Sequence, residues 1–164
     1  MHVNFGPRGI LQIDDARITF KNFAGRADKY NREGDRNFAL IIPNQEICDA
    51  LLEDKNEFGV GWNVKIKPPR DVDDEPFMYL PVKIKFNGRG PNVYLKTGKA
   101  RNRLDEGSIG ILDDVYIERL DLDIRPYDDV INGKPFRTAY LQSMDVVQDI
   151  STDRFAARYT EEDY

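Results

Sequence analysis

A chain of 164 residues is long enough for one domain to bury a core without disulfides or a structural metal. Its single cysteine, Cys48, excludes an intrachain disulfide and a thiolate zinc site, and no apolar run reaches membrane-spanning length, so a soluble protein of a reducing cytoplasm is expected. The net charge of −5 argues against a polyanionic partner only as an average: residues 1 to 104 carry 18 Lys and Arg against 14 Asp and Glu, whereas residues 105 to 164 carry 6 against 15.

The amino-terminal residues Met1 to Arg8 have no signal or transit pattern, and His2, the sole histidine, is expected at a mobile terminus. The first assigned element is Arg17 to Phe23, where Ile18 and Phe20 alternate with Arg17, Thr19 and Lys21. Gly25 to Asp35 is too charged for a core element and reads as a loop. Arg36 to Ile42 returns to strand alternation, with Phe38, Leu40 and Ile42 on one side. Asn44 is placed to cap a helix over about Gln45 to Lys55, its stripe formed by Ile47, Ala50 and Leu51.

From Trp62 the period of two resumes, with Val64 and Ile66 opposing Lys65 and Lys67, until Pro68 and Pro69 stop it. Asp71 to Glu75 is an acidic loop. Phe77 to Phe86 and Asn92 to Thr97 flank the turn residues Asn87, Gly88, Arg89 and Gly90 and are expected to pair as a hairpin. A basic loop, Gly98 to Gly107, leads to strands at Ile109 to Leu112, Tyr116 to Arg125 and, after Asn132-Gly133, Arg137 to Val147. About eight short strands and one helix predict an all-β fold, an OB-fold-like small barrel elaborated with extra hairpins over residues 1–150, with a β-sandwich as the alternative. Residues 151–164 lose the alternation and are expected to form a weakly ordered acidic tail.

Between Pro76 and Leu104 there are seven Lys and Arg and no carboxylate. Burying Val82, Ile84, Phe86, Val93 and Leu95 sends Lys83, Lys85, Tyr94 and Lys96 outward together, which combines cations for phosphates with a ring for an unpaired base. Outward lysines are also ordinary solubilising surface. Arg89, Lys99, Arg101 and Arg103 extend the positive run, Lys65 and Lys67 repeat it, and Lys21, Arg26, Lys29, Tyr30 and Arg36 form a second basic and aromatic series. These residues predict a non-enzymatic binder of single-stranded nucleic acid without cofactor or metal.

A lone histidine excludes histidine-based triads and multi-histidine metal sites. Asp113, Asp114, Glu118, Asp121 and Asp123 leave a magnesium-dependent nuclease as one alternative, and a structural or morphogenetic phage protein as another. With its basic and aromatic strands and the ending Tyr159-Thr160-Glu161-Glu162-Asp163-Tyr164, the chain resembles the bacteriophage single-stranded DNA-binding proteins of replication and recombination; Arg17 to Asp149 also looks like proteins of phage and prophage genomes. The resemblance implies an OB-fold, a basic and aromatic groove, and a bacterial host cytoplasm. It further implies that Glu161, Glu162, Asp163 and Tyr164 occupy the groove without DNA and contact replication or recombination proteins when DNA displaces them. This ending has only three acids and closes on Tyr where the best-known members close on Phe.

Overall fold

The structure, a computed structural model, describes residues 1–88 and 90–151. Arg89 and the acidic segment with Glu161, Glu162, Asp163 and Tyr164 therefore lie outside the described residues. Among those described, ten strands and one α-helix form. The chain begins with a hairpin of β1 (His2–Phe5) and β2 (Leu11–Asp14), so His2 is not on a loose end but sits in a strand opposite Asp14. After a bend at Asp15 come β3 (Ile18–Asn22) and β4 (Arg36–Ile42), which pair antiparallel. Helix α1 (Gln45–Glu53) follows, and the Asn44 side chain accepts the Ile47 amide at 2.9 Å as its amino-terminal cap.

Next are β5 (Lys65–Lys67), β6 (Phe77–Ile84), β7 (Asn92–Thr97) and β8 (Ala100–Leu104). A 3₁₀ turn, Ile109–Asp113, replaces the strand expected there and precedes two long strands, β9 (Ile117–Ile131) and β10 (Lys134–Gln148). The turn between them uses Asn132 and Gly133, both with positive φ, as an Asn-Gly hairpin requires. The sheet runs in the open order β1-β2-β9-β10-β6-β4-β3, and its second strand, β2, leads through residues 15–17 into its last, β3. At the junction the Ala16 amide donates to the Leu120 carbonyl and the Ile41 amide to the Arg17 carbonyl. The result is an OB-fold-like, partly open barrel of β2/β3, β4, β6, β10 and β9, elaborated by β1, β5 and the β7–β8 hairpin.

Period-two alternation predicts most of the core. Phe38, Leu40 and Ile42 on β4, Leu80, Val82 and Ile84 on β6, and Leu120, Leu122 and Ile124 on β9 all point inward and are buried. Each such side chain contributes about 1.5–3 kcal/mol through burial. The helix closes one end with Cys48 and Leu51, and the chain returns past it at Gly61, where a Cβ would lie 2.2 Å from the Leu52 carbonyl oxygen. Only glycine allows that approach, which seats Trp62 in the core.

Three expectations fail for identifiable reasons. The segment 77–97 is no hairpin: β6 and β7 both run parallel to β10 and occupy successive stretches of its edge, while β7 pairs with β8 inside the segment expected to be loop. Asn87 and Gly90 close an antiparallel bridge of their own, but the reversal stays local and the chain resumes its course along β10, a distinction that local turn residues do not encode. Alternation at 62–66 predicted a strand with Ile66 inward, yet the strand spans only Lys65–Lys67 and Ile66 is half exposed. Alternation predicts Phe20 inward, but a β-bulge between Thr19 and Asn22 holds it at φ 50° and turns its ring to solvent, while Phe23 takes the core position.

The turn end of the β9–β10 hairpin is locked by one buried cation. Arg137 donates to both carboxylate oxygens of Asp128 at 2.8 and 3.2 Å and to the Asp54 carbonyl at 2.6 Å, with its guanidinium 4.9 Å from the Trp62 ring. Trp62 donates its indole N–H to Asp54 at 2.8 Å, so helix end, loop and hairpin form one unit. Partial burial of Asp128 would raise its pKa, but the Arg137 hydrogen bonds and charge hold it below the ordinary range. Among the described residues no helix is long and apolar enough to cross a membrane.

Asp128→Ala removes the bidentate partner of the buried Arg137 guanidinium, leaving it only Asp54, and should lower the unfolding free energy by about 3 kcal/mol in urea titration. A depressed carboxylate pKa stabilises above the unfolded value of about 3.9 and ceases to do so as pH falls through the lower folded value. The wild type should therefore lose stability more steeply than the variant on acidification below about pH 4.

Candidate nucleic-acid interface

Strand alternation that buries Leu80, Val82 and Ile84 leaves Tyr79 and Lys83 of β6 on the outer surface, with Lys85 exposed just beyond the strand. Register then aligns Asn37 of β4, Lys83 of β6, Tyr140 of β10 and Arg125 of β9 in one row across four strands. At the usual strand spacing this row is about 14 Å long. The Arg125 guanidinium lies 4.8 Å from the Tyr140 ring centroid, and Tyr127 meets Tyr140 edge-on at 6.1 Å. A cation, a ring and a second cation thus stand side by side.

A second aromatic group stands farther along β6. The exposed ring of Phe20 meets Phe77 and Tyr79 edge-on at 6.2 and 5.7 Å, and the Lys67 ammonium lies 5.4 Å from Phe20 and 5.8 Å from Tyr79. A left-handed φ costs a side chain about 1–2 kcal/mol, so the bulge holds Phe20 outward against its own backbone preference. A cavity of about 1170 Å³ runs from Phe20 and Tyr79 to Arg26 and Tyr30, and a smaller one of about 310 Å³ lies between Arg36, Lys83 and Tyr140. Both include Asn31 and Asn37 in their walls, which makes them neighbouring parts of one groove.

The 25–35 loop that walls this groove is organised by Asn31, whose amide donates to the carbonyls of Arg26, Arg32 and Asp35 and whose oxygen accepts from Asn37. Of its predicted residues, Arg26, Lys29 and Tyr30 are exposed, Tyr30 almost entirely, with the Lys29 ammonium 5.6 Å from the Tyr30 ring. Arg36 is half-buried and donates to the Phe23 carbonyl. Lys21 is engaged inward, its ammonium bonded to the carbonyls of Leu112 and Val115 at 2.9 and 3.2 Å. Lys65 and Lys67 sit on the β5 edge strand.

The remaining predicted residues form a separate group. Tyr94 and Lys96 of β7, Lys99 in the turn, and Arg101 and Arg103 of β8 lie along the distal half of β10. The Arg101 guanidinium stacks on Tyr94 at 3.9 Å and pairs with Asp145 at 3.0 Å; Arg103 donates to Asn92. Asp145 faces both Tyr94 and Asp121 across the sheet, so cations and carboxylates alternate there. The structure therefore does not bring Lys83, Lys85, Tyr94 and Lys96 together on one hairpin.

Sequence reasoning missed Phe20, Asn37, Phe77, Tyr79, Arg125, Tyr127 and Tyr140. Tyr79 shares the parity of Lys83 and was within reach of pattern reading, whereas Tyr140 and Arg125 join Lys83 only through long-range register. Three of the five acids weighed for a metal serve elsewhere: Asp113 accepts the amides of Phe23 and Ala24, Asp121 that of Asp15, and Asp123 the Ser143 hydroxyl. Among the described residues, no three metal-binding side chains gather.

The family described as the putative phage ssDNA-binding domain matches residues 3–163, nearly the whole sequence. The chain belongs to this family. No curated protein matches it. Among solved structures it is similar to the single-stranded DNA-binding protein of bacteriophage Enc34, with 17% identity, 90% of this chain and 85% of that chain covered, and a TM-score of 0.54. A carboxy-terminal truncation of that protein gives 17% identity, 90% coverage of both chains and a TM-score of 0.53. The same protein in complex with ssDNA gives 15%, 90% of both chains and 0.56. At such identity the likeness establishes the fold.

If the bulge exists to present its ring, Phe20→Gly should change stability by less than about 1 kcal/mol, because relief of the left-handed conformation offsets lost ring packing. Oligothymidine binding should weaken by about 1–3 kcal/mol, the worth of one stacked base. Urea unfolding and fluorescence anisotropy measure the two quantities.

Proposed function

We propose that this chain is a non-enzymatic phage single-stranded DNA-binding protein whose strand path crosses the β4-β6-β10-β9 surface beneath the 25–35 loop. The observation that carries this reading is the row Asn37, Lys83, Tyr140 and Arg125, in which cations flank a ring at base-stacking height. Phe20, Tyr79 and Lys67 continue the path as a second stacking station. Arg26, Tyr30 and Arg36 border it, and Lys65 and Lys85 extend its positive field. The Tyr94, Lys96, Lys99, Arg101 and Arg103 group is an outlying contact for a longer strand. Arg89, which lies outside the described residues, belongs to the same positive run of sequence.

Membership of a phage ssDNA-binding family and a fold shared with an ssDNA-bound phage protein support this reading. In this account the protein works in the bacterial host cytoplasm on replication or recombination intermediates. The segment containing Glu161, Glu162, Asp163 and Tyr164 competes with DNA for the groove and recruits partner proteins when displaced. A tethered segment meets the groove at high effective concentration, so weak attraction suffices.

Lys83→Ala should flatten the plot of log affinity against log salt by about 0.7, the share of one phosphate contact on a single strand. Tyr140→Ala should cost about 1–3 kcal/mol with little change of slope. A morphogenetic protein would show no salt-dependent oligothymidine binding in the wild type. Removing Thr160 to Tyr164 should tighten binding, most at 0.01 M salt, where the Debye length is about 30 Å; unchanged affinity there would refute the competition.

A further inference from the structure

A cavity of about 530 Å³ opens where the 3₁₀ turn Pro7–Gly9, residues Lys85, Asn87, Gly90 and Pro91, and the β9–β10 hairpin meet. Among the described residues its walls carry three cations, Arg8, Lys85 and Arg125, and no carboxylate. None of these three charged groups makes a hydrogen bond or ion pair with another described residue; Arg125 only stacks on Tyr140. Arg32, Arg101, Arg119 and Arg137, by contrast, each have an acidic partner. Like charges gathered around a cavity repel one another until an anion joins them.

The backbone supports the same conclusion independently. Arg8 holds φ 61° and ψ 23°, a left-handed conformation unfavourable for any side chain. Gly9 continues it at φ 74°, and a Cβ there would meet the Pro126 ring at 3.2 Å. The turn is thus pressed onto β9 in a conformation that places Arg8 at the cavity, and such strain is retained where a site needs it.

We propose that this cavity is a phosphate seat, in which Arg8 and Arg125 present guanidinium forks and Lys85 a point charge to one phosphate group. An internal phosphodiester and a terminal phosphate monoester share the chemistry it recognises. That this phosphate belongs to a DNA strand rests on the proposed function; that the cavity takes a phosphate does not.

Two measurements on the full chain test the proposal. Titration with inorganic phosphate should shift the side-chain Nε–Hε NMR signals of Arg8 and Arg125, assigned with Arg8→Lys and Arg125→Lys, and Lys85→Ala should weaken the response. Salt-dependent binding of oligothymidine, with and without a 5′-phosphate, should be compared between wild type and Arg8→Ala, whose fold is checked by thermal melting. If the seat holds an internal phosphate, Arg8→Ala flattens the salt slope by about 0.7 on both oligonucleotides. If it holds a strand end, the 5′-phosphate tightens wild-type binding several-fold and Arg8→Ala abolishes that gain. The proposal is overturned if phosphate moves neither arginine signal, or if Arg8→Ala matches wild type on both oligonucleotides that the wild type binds. Arginine shifts without any oligothymidine binding would uphold the seat and sink the DNA reading.

Discussion

The arrangement of this surface depends on one strand edge. β10 pairs with β9 along its whole length on one side and is shared on the other by β6 and then β7, both parallel to it. Backbone hydrogen bonding in these ladders leaves little freedom in register, because a shift of one residue would expose Leu141 and Val146 and bury Tyr140 and Asp145. Lys83, Tyr140 and Arg125 come from segments far apart in sequence and become neighbours only through that pairing. The lock of Arg137 on Asp128 and Asp54 then holds the hairpin that carries Arg125 and Tyr127 against the end of the helix.

This dependence explains what was legible in the sequence. Alternation is a local property, so the inward residues of β4, β6 and β9, the Asn44 cap and the outward lysines of β6 could all be read directly. Pairing partners are not local: the Asn87 to Gly90 segment has the composition of a hairpin turn, yet it links two strands that follow the same edge. The run from Lys83 to Arg103 is therefore legible as basic, but the expected hairpin face of Lys83, Lys85, Tyr94 and Lys96 does not form. Phe20 failed for a different reason, since one bulge residue reverses the parity on which the reading relied. Tyr140 and Arg125 carried no local signal that set them apart from other strand residues.

Charge distribution reconciles an acidic protein with a polyanionic ligand. In the half of the hairpin remote from its turn, Asp121, Asp123 and Asp145 are engaged with a backbone amide, a hydroxyl and an arginine, and nearer the turn Asp128 pairs with Arg137 and Asp129 accepts the Tyr127 hydroxyl. The proximal half carries Arg125 and Tyr140 beside Lys83 and Lys85. A strand lying there meets cations over a short distance while the overall field remains repulsive. Such a balance favours binding that is strongly salt dependent and that relies on stacking for much of its affinity.

The proposed path has unpaired bases stacking on Tyr140 and on the Phe20 and Tyr79 station. Photocrosslinking of the full chain to oligothymidine carrying 5-iodouracil, followed by peptide mass mapping, tests it most directly. Adducts are expected at Tyr140 and at Phe20 or Tyr79, with fewer at Tyr94, whose ring face is already covered by Arg101. Adducts confined to Tyr94 and the β7–β8 hairpin, with none at Tyr140, Phe20 or Tyr79, would contradict it.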